Sequence, residues 1–222
     1  MGERRTLRLA HRGDHRHEPE NSLAAMLAAL RIPACDGLEL DVRAAADGTP
    51  VLLHDATLER VQHRSDRVEA LSVGELAAAG VPTLAEILDA VPRSAFLDVE
   101  LKGVASPQIV PVLRAGRGAG LANAVVSSFE PGALGVVGRS QPAWPLWLNA
   151  DDLAETNLSA AVALGCRGIA VAWRSIDPTG IGRARAAGLE VAAYTVRRRT
   201  TFDRLARLGV VAVCVEGTAL DG

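Results

Sequence analysis

The run GLELDVRAAADGTPVLLHD, residues 37–55, decides the fold. It holds two β-rich stretches, 37–43 and 50–55, joined through Ala46-Asp47-Gly48-Thr49, a turn too short for a helix. Two strands linked that tightly pair as an antiparallel hairpin. Elsewhere the β-rich runs alternate with helical patterns. The runs are 7–13, 95–102, 124–130, 145–149, 168–173, 190–196 and 210–217. Between them, stretches such as 21–30, 83–90, 107–114, 153–164, 179–187 and 201–208 place apolar residues at three- and four-residue spacing. Strand, helix, strand repeated without a break implies parallel pairing with right-handed crossovers.

With the second hairpin arm set aside as an extension beside the mouth, eight strand runs remain, the number that closes a (β/α)8 TIM barrel. An open doubly wound sheet is the competing closure. It loses because no phosphate-binding glycine loop follows a strand: GRGAG at 116–120 has neither a strand before it nor Lys-Ser/Thr after it. The expectation is therefore a single α/β domain over 1–222, with a short insertion at about 56–81. Gly118, Gly120, Gly165, Gly188 and Gly209 are placed to end helices. After the last strand only TALDG follows, too short for a closing helix. The groove between the last and first strands is expected to lie partly open or to take a partner surface.

Composition excludes several function classes. Of the 222 residues 49% are hydrophobic but only 3% aromatic, so the core must be built from Ala, Val, Leu and Ile. A formal charge of −2 offers no bulk attraction to nucleic acid or anionic membrane, so any phosphate binding must come from a local cluster. No apolar run approaches the roughly 20 residues of a membrane helix, and MGERRTLRLA contains no signal-peptide apolar core. A cytoplasmic location is expected. Cys35, Cys166 and Cys214 are scattered singly and read as small buried hydrophobes.

In a parallel barrel the C-terminal strand ends form one face, where side chains converge. The first run ends in His11-Arg12, the second carries Glu39-Leu40-Asp41, the hairpin arm ends in His54-Asp55, and the next carries Glu100-Leu101-Lys102. Strand alternation puts Glu39 with Asp41, and Glu100 with Lys102, on shared sides. Each pair alone would read as a solvated face or a salt bridge, but strands covered by helices have no solvated face. Three carboxylates are costly to bury without a cation. Glu39, Asp41 and Glu100 offer hard oxygens suited to Mg²⁺ or Ca²⁺, and neither a thiolate set nor a His-x₃-His pattern is read as arguing for zinc. Arg12 and Lys102 supply charge for an anion, and His11 and His54 can flank a reacting centre as base and acid. Together these groups describe phosphoryl transfer.

HRG…PEN at 11–21, ELD at 39–41, the DG-x-x-V-x-x-HD-x-x-L-x-R pattern at 47–60, PTLAEIL at 82–88, E-x-K at 100–102 and SSFEP at 127–131 resemble the glycerophosphodiester phosphodiesterase family. The resemblance holds through residue 131, fades between 132 and 189, and partly returns at YTV. It implies metal-dependent hydrolysis of glycerophosphodiesters to glycerol 3-phosphate and an alcohol. It also implies His11 and His54 as the acid–base pair, Glu39, Asp41 and Glu100 as ligands of Mg²⁺ or Ca²⁺, and Arg12 and Lys102 on the phosphate. The substrate's own glycerol hydroxyl would be the nucleophile, through a cyclic phosphate.

Some positions depart from the family pattern. Tyr194-Thr195-Val196-Arg197 replaces Trp-Thr-Val-Asn, and the last strand ends in Val215-Glu216 rather than Thr-Asp. Arg197, with Arg198 and Arg199, is either a solvated helix start or a basic rim selecting an anionic head group. Tyr194, Arg197 and Trp173 are candidate substrate contacts. His15 and His17 are loop-surface residues or additions to head-group recognition. Competing readings are a cyclising or lysophospholipase D-like enzyme acting on lipid, and a silent phosphodiester-binding barrel. The intact His11, Glu39, Asp41, His54, Glu100 and Lys102 argue against the last. The expected partner is a small-molecule glycerophosphodiester, with no nucleic acid, no stable membrane insertion, and an oligomer possible.

Overall fold

In the computed structural model, which describes residues 5–222, every β-rich run becomes a strand. The strands are β1 (Leu7–His11), β2 (Gly37–Ala44), β3 (Pro50–Leu52), β4 (Phe96–Leu101), β5 (Ala124–Ser128), β6 (Leu146–Ala150), β7 (Gly168–Ala172), β8 (Glu190–Val196) and β9 (Ala212–Val215). The helices are α1 (Leu23–Leu30), α2 (Glu59–Gln62), α3 (Val73–Ala78), α4 (Leu84–Ala90), α5 (Ile109–Arg117), α6 (Pro131–Ser140), α7 (Glu155–Ala163), α8 (Pro178–Ala186) and α9 (Arg199–Arg207). The sheet runs β1-β9-β8-β7-β6-β5-β4-β2, and β1 also pairs with β2, so eight parallel strands close on themselves. β3 pairs antiparallel with β2 outside the barrel, as the short turn at 46–49 requires.

Strand alternation sorts the core into two sides. Leu38, Leu40, Val99, Val126, Leu148, Ile169, Val191 and Val213 point outward into the helix layer. Leu9, Val125, Trp147, Ala170, Ala192 and Ala212 form the apolar inner floor. The insertion packs Leu58, Val68, Leu71, Leu76 and Val81 against Val51 and Leu53 of the hairpin arm in a second, smaller core. Gly37 is required where β2 meets β4, because a Cβ there would lie 2.0 Å from the Phe96 carbonyl oxygen.

Four details differ from the sequence reading. Helix α6 is absent from the patterns named above. Its three glycines weaken the helical signal, and burial of Ala133, Leu134 and Val137 against the barrel holds it instead. The arm at 50–55 stops at Leu52, leaving His54-Asp55 in a loop beyond it. Gly118, Gly165, Gly188 and Gly209 do adopt positive φ, but near 120 that conformation falls to Leu121 and Asn123. The groove between β9 and β1 is not open. The buried Arg8 side chain crosses it, lies over the Phe202 ring at 3.7 Å and donates from Nε to the Ala219 carbonyl at 2.7 Å. Ala219 and Leu220 are buried beside it. No helix among the described residues is long and apolar enough to cross a membrane.

Candidate active site

The register of the closed barrel assembles the site. β1 sets His11 opposite Glu39, and β2 sets Asp41 opposite Glu100. Side chains of Glu39, Asp41 and Glu100 point inward and are 2%, 0% and 8% exposed. One oxygen from each lies within 4.8 Å of the others. His11, Arg12, Glu39, His54, Asp98, Glu100, Lys102, Phe129, Asn149, Tyr194 and Cys214 line a cavity of about 210 Å³ above the apolar floor. A larger cavity of about 840 Å³ opens at the opposite end of the barrel, among Leu7, Phe96, Trp144 and Trp147, and holds none of these groups.

The loop after β1 is built for close approach. Arg12 and Gly13 both take positive φ, 59° and 82°, and a Cβ on Gly13 would lie 2.6 Å from the Ala25 backbone. Asn21 also sits at positive φ, 57°. Its side-chain amide donates to Asp41 Oδ2 at 2.9 Å, while its carbonyl accepts from the Asp41 backbone N–H at 3.1 Å. The helix cap falls to Ser22, whose side chain accepts from Ala25 N–H.

Carboxylates outnumber cations here. Lys102 Nζ pairs with Glu100 and lies 3.2 Å from Asp41 Oδ1, and Arg12 Nε lies 3.0 Å from Asp41 Oδ2. Burial would raise Asp41, yet Lys102 and Arg12 hold it below the ordinary carboxylate value. Glu39 receives less compensation, so burial, then Asp41 and Glu100, push it well above the ordinary value. Glu39 Oε1 is buried with no hydrogen-bond partner. An orphaned oxygen beside two further carboxylates is the donor set a hard divalent cation accepts.

Both histidines are oriented through Nδ1. Each must donate from that nitrogen, because its partner is an acceptor-only carboxylate: His11 to Glu216 Oε1 at 2.6 Å, His54 to Asp55 Oδ1 at 2.6 Å. In the neutral state the lone pair is then on Nε2, and His11 Nε2 lies 3.8 Å from Glu39 Oε2. The supports continue outward. Asp55 Oδ2 accepts from Arg60 Nε at 2.6 Å, Arg60 pairs with Glu20 at 2.7 Å, and Glu20 returns to Arg12 at 2.9 Å.

The family's sequence profile, glycerophosphoryl diester phosphodiesterase, matches residues 11–219, nearly the whole described chain. The chain belongs to that family. A glycerophosphodiester phosphodiesterase of Caldanaerobacter subterraneus is 34% identical over 112 residues, which cover 44% of this chain and 46% of that one. The chain thus matches less than half the length of that relative. A glycerophosphodiester phosphodiesterase structure from Agrobacterium tumefaciens superposes with a TM-score of 0.83 at 24% identity, covering 97% and 98% of the two chains. An Oleispira antarctica phosphodiesterase in complex with its product sn-glycerol-3-phosphate superposes at 0.79, with 23% identity and coverage of 95% and 93%. These likenesses show the barrel fold.

Within this family member, His11, Arg12, Glu39, His54, Glu100, Lys102 and Tyr194 line the cavity. Asp41 meets them through Arg12 and Lys102. Tyr194 donates to the Ala150 carbonyl at 2.7 Å and packs edge-on to Phe129. Arg197 and Trp173 stand outside the lining. Arg197 Nε pairs with Glu216 Oε2 at 2.7 Å, and the Trp173 ring lies under Arg174 at 4.4 Å. The sequence reading missed Asp98, Asn149 and Cys214 as lining residues, although period-two alternation from Glu100 already points Asp98 inward. It also noted Glu216 only as a departure and Asn21 only within the PEN motif; no local signal gives their partners.

Proposed function

We propose that this chain hydrolyses glycerophosphodiesters to glycerol 3-phosphate and an alcohol. The observation that carries the reading is the pair of imidazoles, each fixed at Nδ1 by its own carboxylate and each lining one cavity with the acidic cluster, Arg12 and Lys102. Family membership supports the reaction class, and the product seen in the Oleispira protein supports the glycerol phosphate half.

Glu39, Asp41 and Glu100 would hold the divalent cation, Mg²⁺ or Ca²⁺, which would neutralise charge on the phosphate oxygens. Arg12 and Lys102 bind the remaining phosphate charge, and Arg12 can do so with two parallel N–H donors. One of His11 and His54 takes the proton of the substrate's glycerol hydroxyl as it attacks phosphorus, and the other protonates the leaving alcohol. The roles then reverse as water opens the cyclic phosphate. At about 210 Å³ the cavity suits a glycerol phosphate, while drug-sized ligands occupy roughly 300–1,000 Å³. The alcohol therefore projects toward Phe129, Tyr194 and the rim.

The test is release of glycerol 3-phosphate from a panel of glycerophosphodiesters with Mg²⁺, with Ca²⁺ and with a chelator. Metal-dependent release supports the proposal. Accumulation of cyclic phosphate without glycerol 3-phosphate would replace it with a cyclising reaction, and no turnover with either metal would refute it.

A further inference from the structure

The loop after β1 carries a second imidazole that the proposed hydrolysis does not use. His11 and His15 are spaced His-x₃-His, but in a loop rather than on a helix, so the spacing alone carries no zinc signature. Tertiary structure supplies the third donor, Glu216, from the far end of the chain. His11 Nδ1 lies 2.6 Å and His15 Nε2 3.8 Å from Glu216 Oε1, and one donor atom from each of the three residues falls within 4.8 Å of the others. We propose that His11, His15 and Glu216 form a second metal site, for a borderline ion such as Zn²⁺, whose occupancy switches His11 off. The inference extends the acid–base role given to His11 above, but the site itself rests on geometry alone.

The donor set differs in kind from the acidic cluster. Two imidazoles and one carboxylate favour zinc, copper or nickel, whereas three carboxylates favour Mg²⁺ or Ca²⁺. Zinc bonds of 2.0–2.2 Å in tetrahedral array place donors about 3.3 Å apart, so the His11–Glu216 contact opens and the His15–Glu216 contact closes by under 1 Å each, and the two imidazoles, within 4.8 Å, close by at most about 1.5 Å. All three residues are half-buried, which leaves the fourth position open to water. The loop is anchored where it must be. Arg16 joins Asp14 at 2.7 Å to Asp221 at 2.9 Å, tying the segment that carries His15 to the one that carries Glu216.

The groups facing the site are Glu39 beyond the far edge of His11, Arg197 on Glu216 Oε2, and Glu20 and Arg12 near His15. Arg197 is the competitor, but its side chain is 77% exposed and it occupies the other oxygen. The two metal sites lie on opposite sides of one imidazole, acidic cluster toward Nε2 and the new site at Nδ1. A metal on Nδ1 moves the ring proton to Nε2 and releases one proton if the ring was charged. Nε2 then has no lone pair to accept a proton from substrate, so turnover stops.

The experiment titrates Zn²⁺, and Co²⁺ as its coloured substitute, into protein saturated with Mg²⁺. It compares the parent with His15→Ala and His15→Gln by calorimetry and by Co²⁺ absorption. One Zn²⁺ should bind despite the Mg²⁺, and either substitution should weaken it by at least about tenfold, since even outer partners of a metal ligand are worth 10–100-fold. Zn²⁺ should inhibit the parent in a way that added Mg²⁺ does not relieve, and the His15 variants should keep Mg²⁺-activated turnover while needing at least about tenfold more Zn²⁺ to lose it. Unchanged affinity in both variants, or inhibition fully relieved by Mg²⁺, would overturn the site. Zn²⁺ binding is read without turnover, so failure of the hydrolysis proposal and failure of this one are separate results.

Discussion

Asn21 gives the sharpest test of how the site is held. It is 1% exposed, sits at φ 57°, and makes two hydrogen bonds with Asp41, one to the carboxylate and one from the backbone. Removing the side chain costs about 1.5–3 kcal/mol for the bond to a charged partner and about 1–3 kcal/mol for the stranded backbone N–H. The midpoint of the sum is about 4 kcal/mol. At 222 residues each kcal/mol shifts the melting temperature by roughly 2–4 °C, so Asn21→Gly should melt about 8–16 °C lower. Asn21→Ala adds a left-handed penalty of about 1–2 kcal/mol, less the 0.5–1 kcal/mol of extra chain entropy that Gly loses. Alanine should therefore be the less stable of the two by roughly 0.5–1 kcal/mol. Calorimetry in chelator reads both effects free of metal linkage. A Gly variant melting within about 2 °C of the parent, or an Ala variant more stable than Gly, would refute the account of this contact.

Four further outcomes are expected. His54→Ala should cut kcat by about 10²–10⁴-fold and leave calorimetric metal affinity within about twofold, because the ring serves proton transfer and is no metal ligand. Glu39→Gln should weaken Mg²⁺ or Ca²⁺ binding by at least about tenfold while raising metal-free stability, since the buried charge is then gone. Gly13→Ala should unfold the loop or cost more than about 2 kcal/mol, measured by urea denaturation, because its Cβ meets the Ala25 backbone at a positive φ. Burial lifts Asp98 to about 7, so the folded state holds that proton more tightly than the unfolded chain does. Its stability contribution is full below about pH 4 and falls by up to about 1.4 kcal/mol per unit until about pH 7. Melting of the metal-free protein against pH should therefore flatten over that range in Asp98→Asn.

The sequence by itself determined the barrel. Period-two and helical spacing, one turn too short for a helix, and glycines after helices report local physics, and local physics is written residue by residue. It also placed Glu39 beside Asp41 and Glu100 beside Lys102, because alternation along one strand fixes which side chains share a face. Helix α6 escaped that reading because packing, not propensity, stabilises it. Only the tertiary structure decided which partner each functional group meets. His11 finds Glu216 across 205 positions and Asn21 finds Asp41 across 20, through closure of β1 against β9 and β2. The extended Arg16 that staples the His15 loop to Asp221 is equally invisible in either segment alone. A side chain's conformation is local, but its hydrogen-bond partner is whatever the closed barrel brings within about 3 Å, and no pattern along the chain encodes that distance.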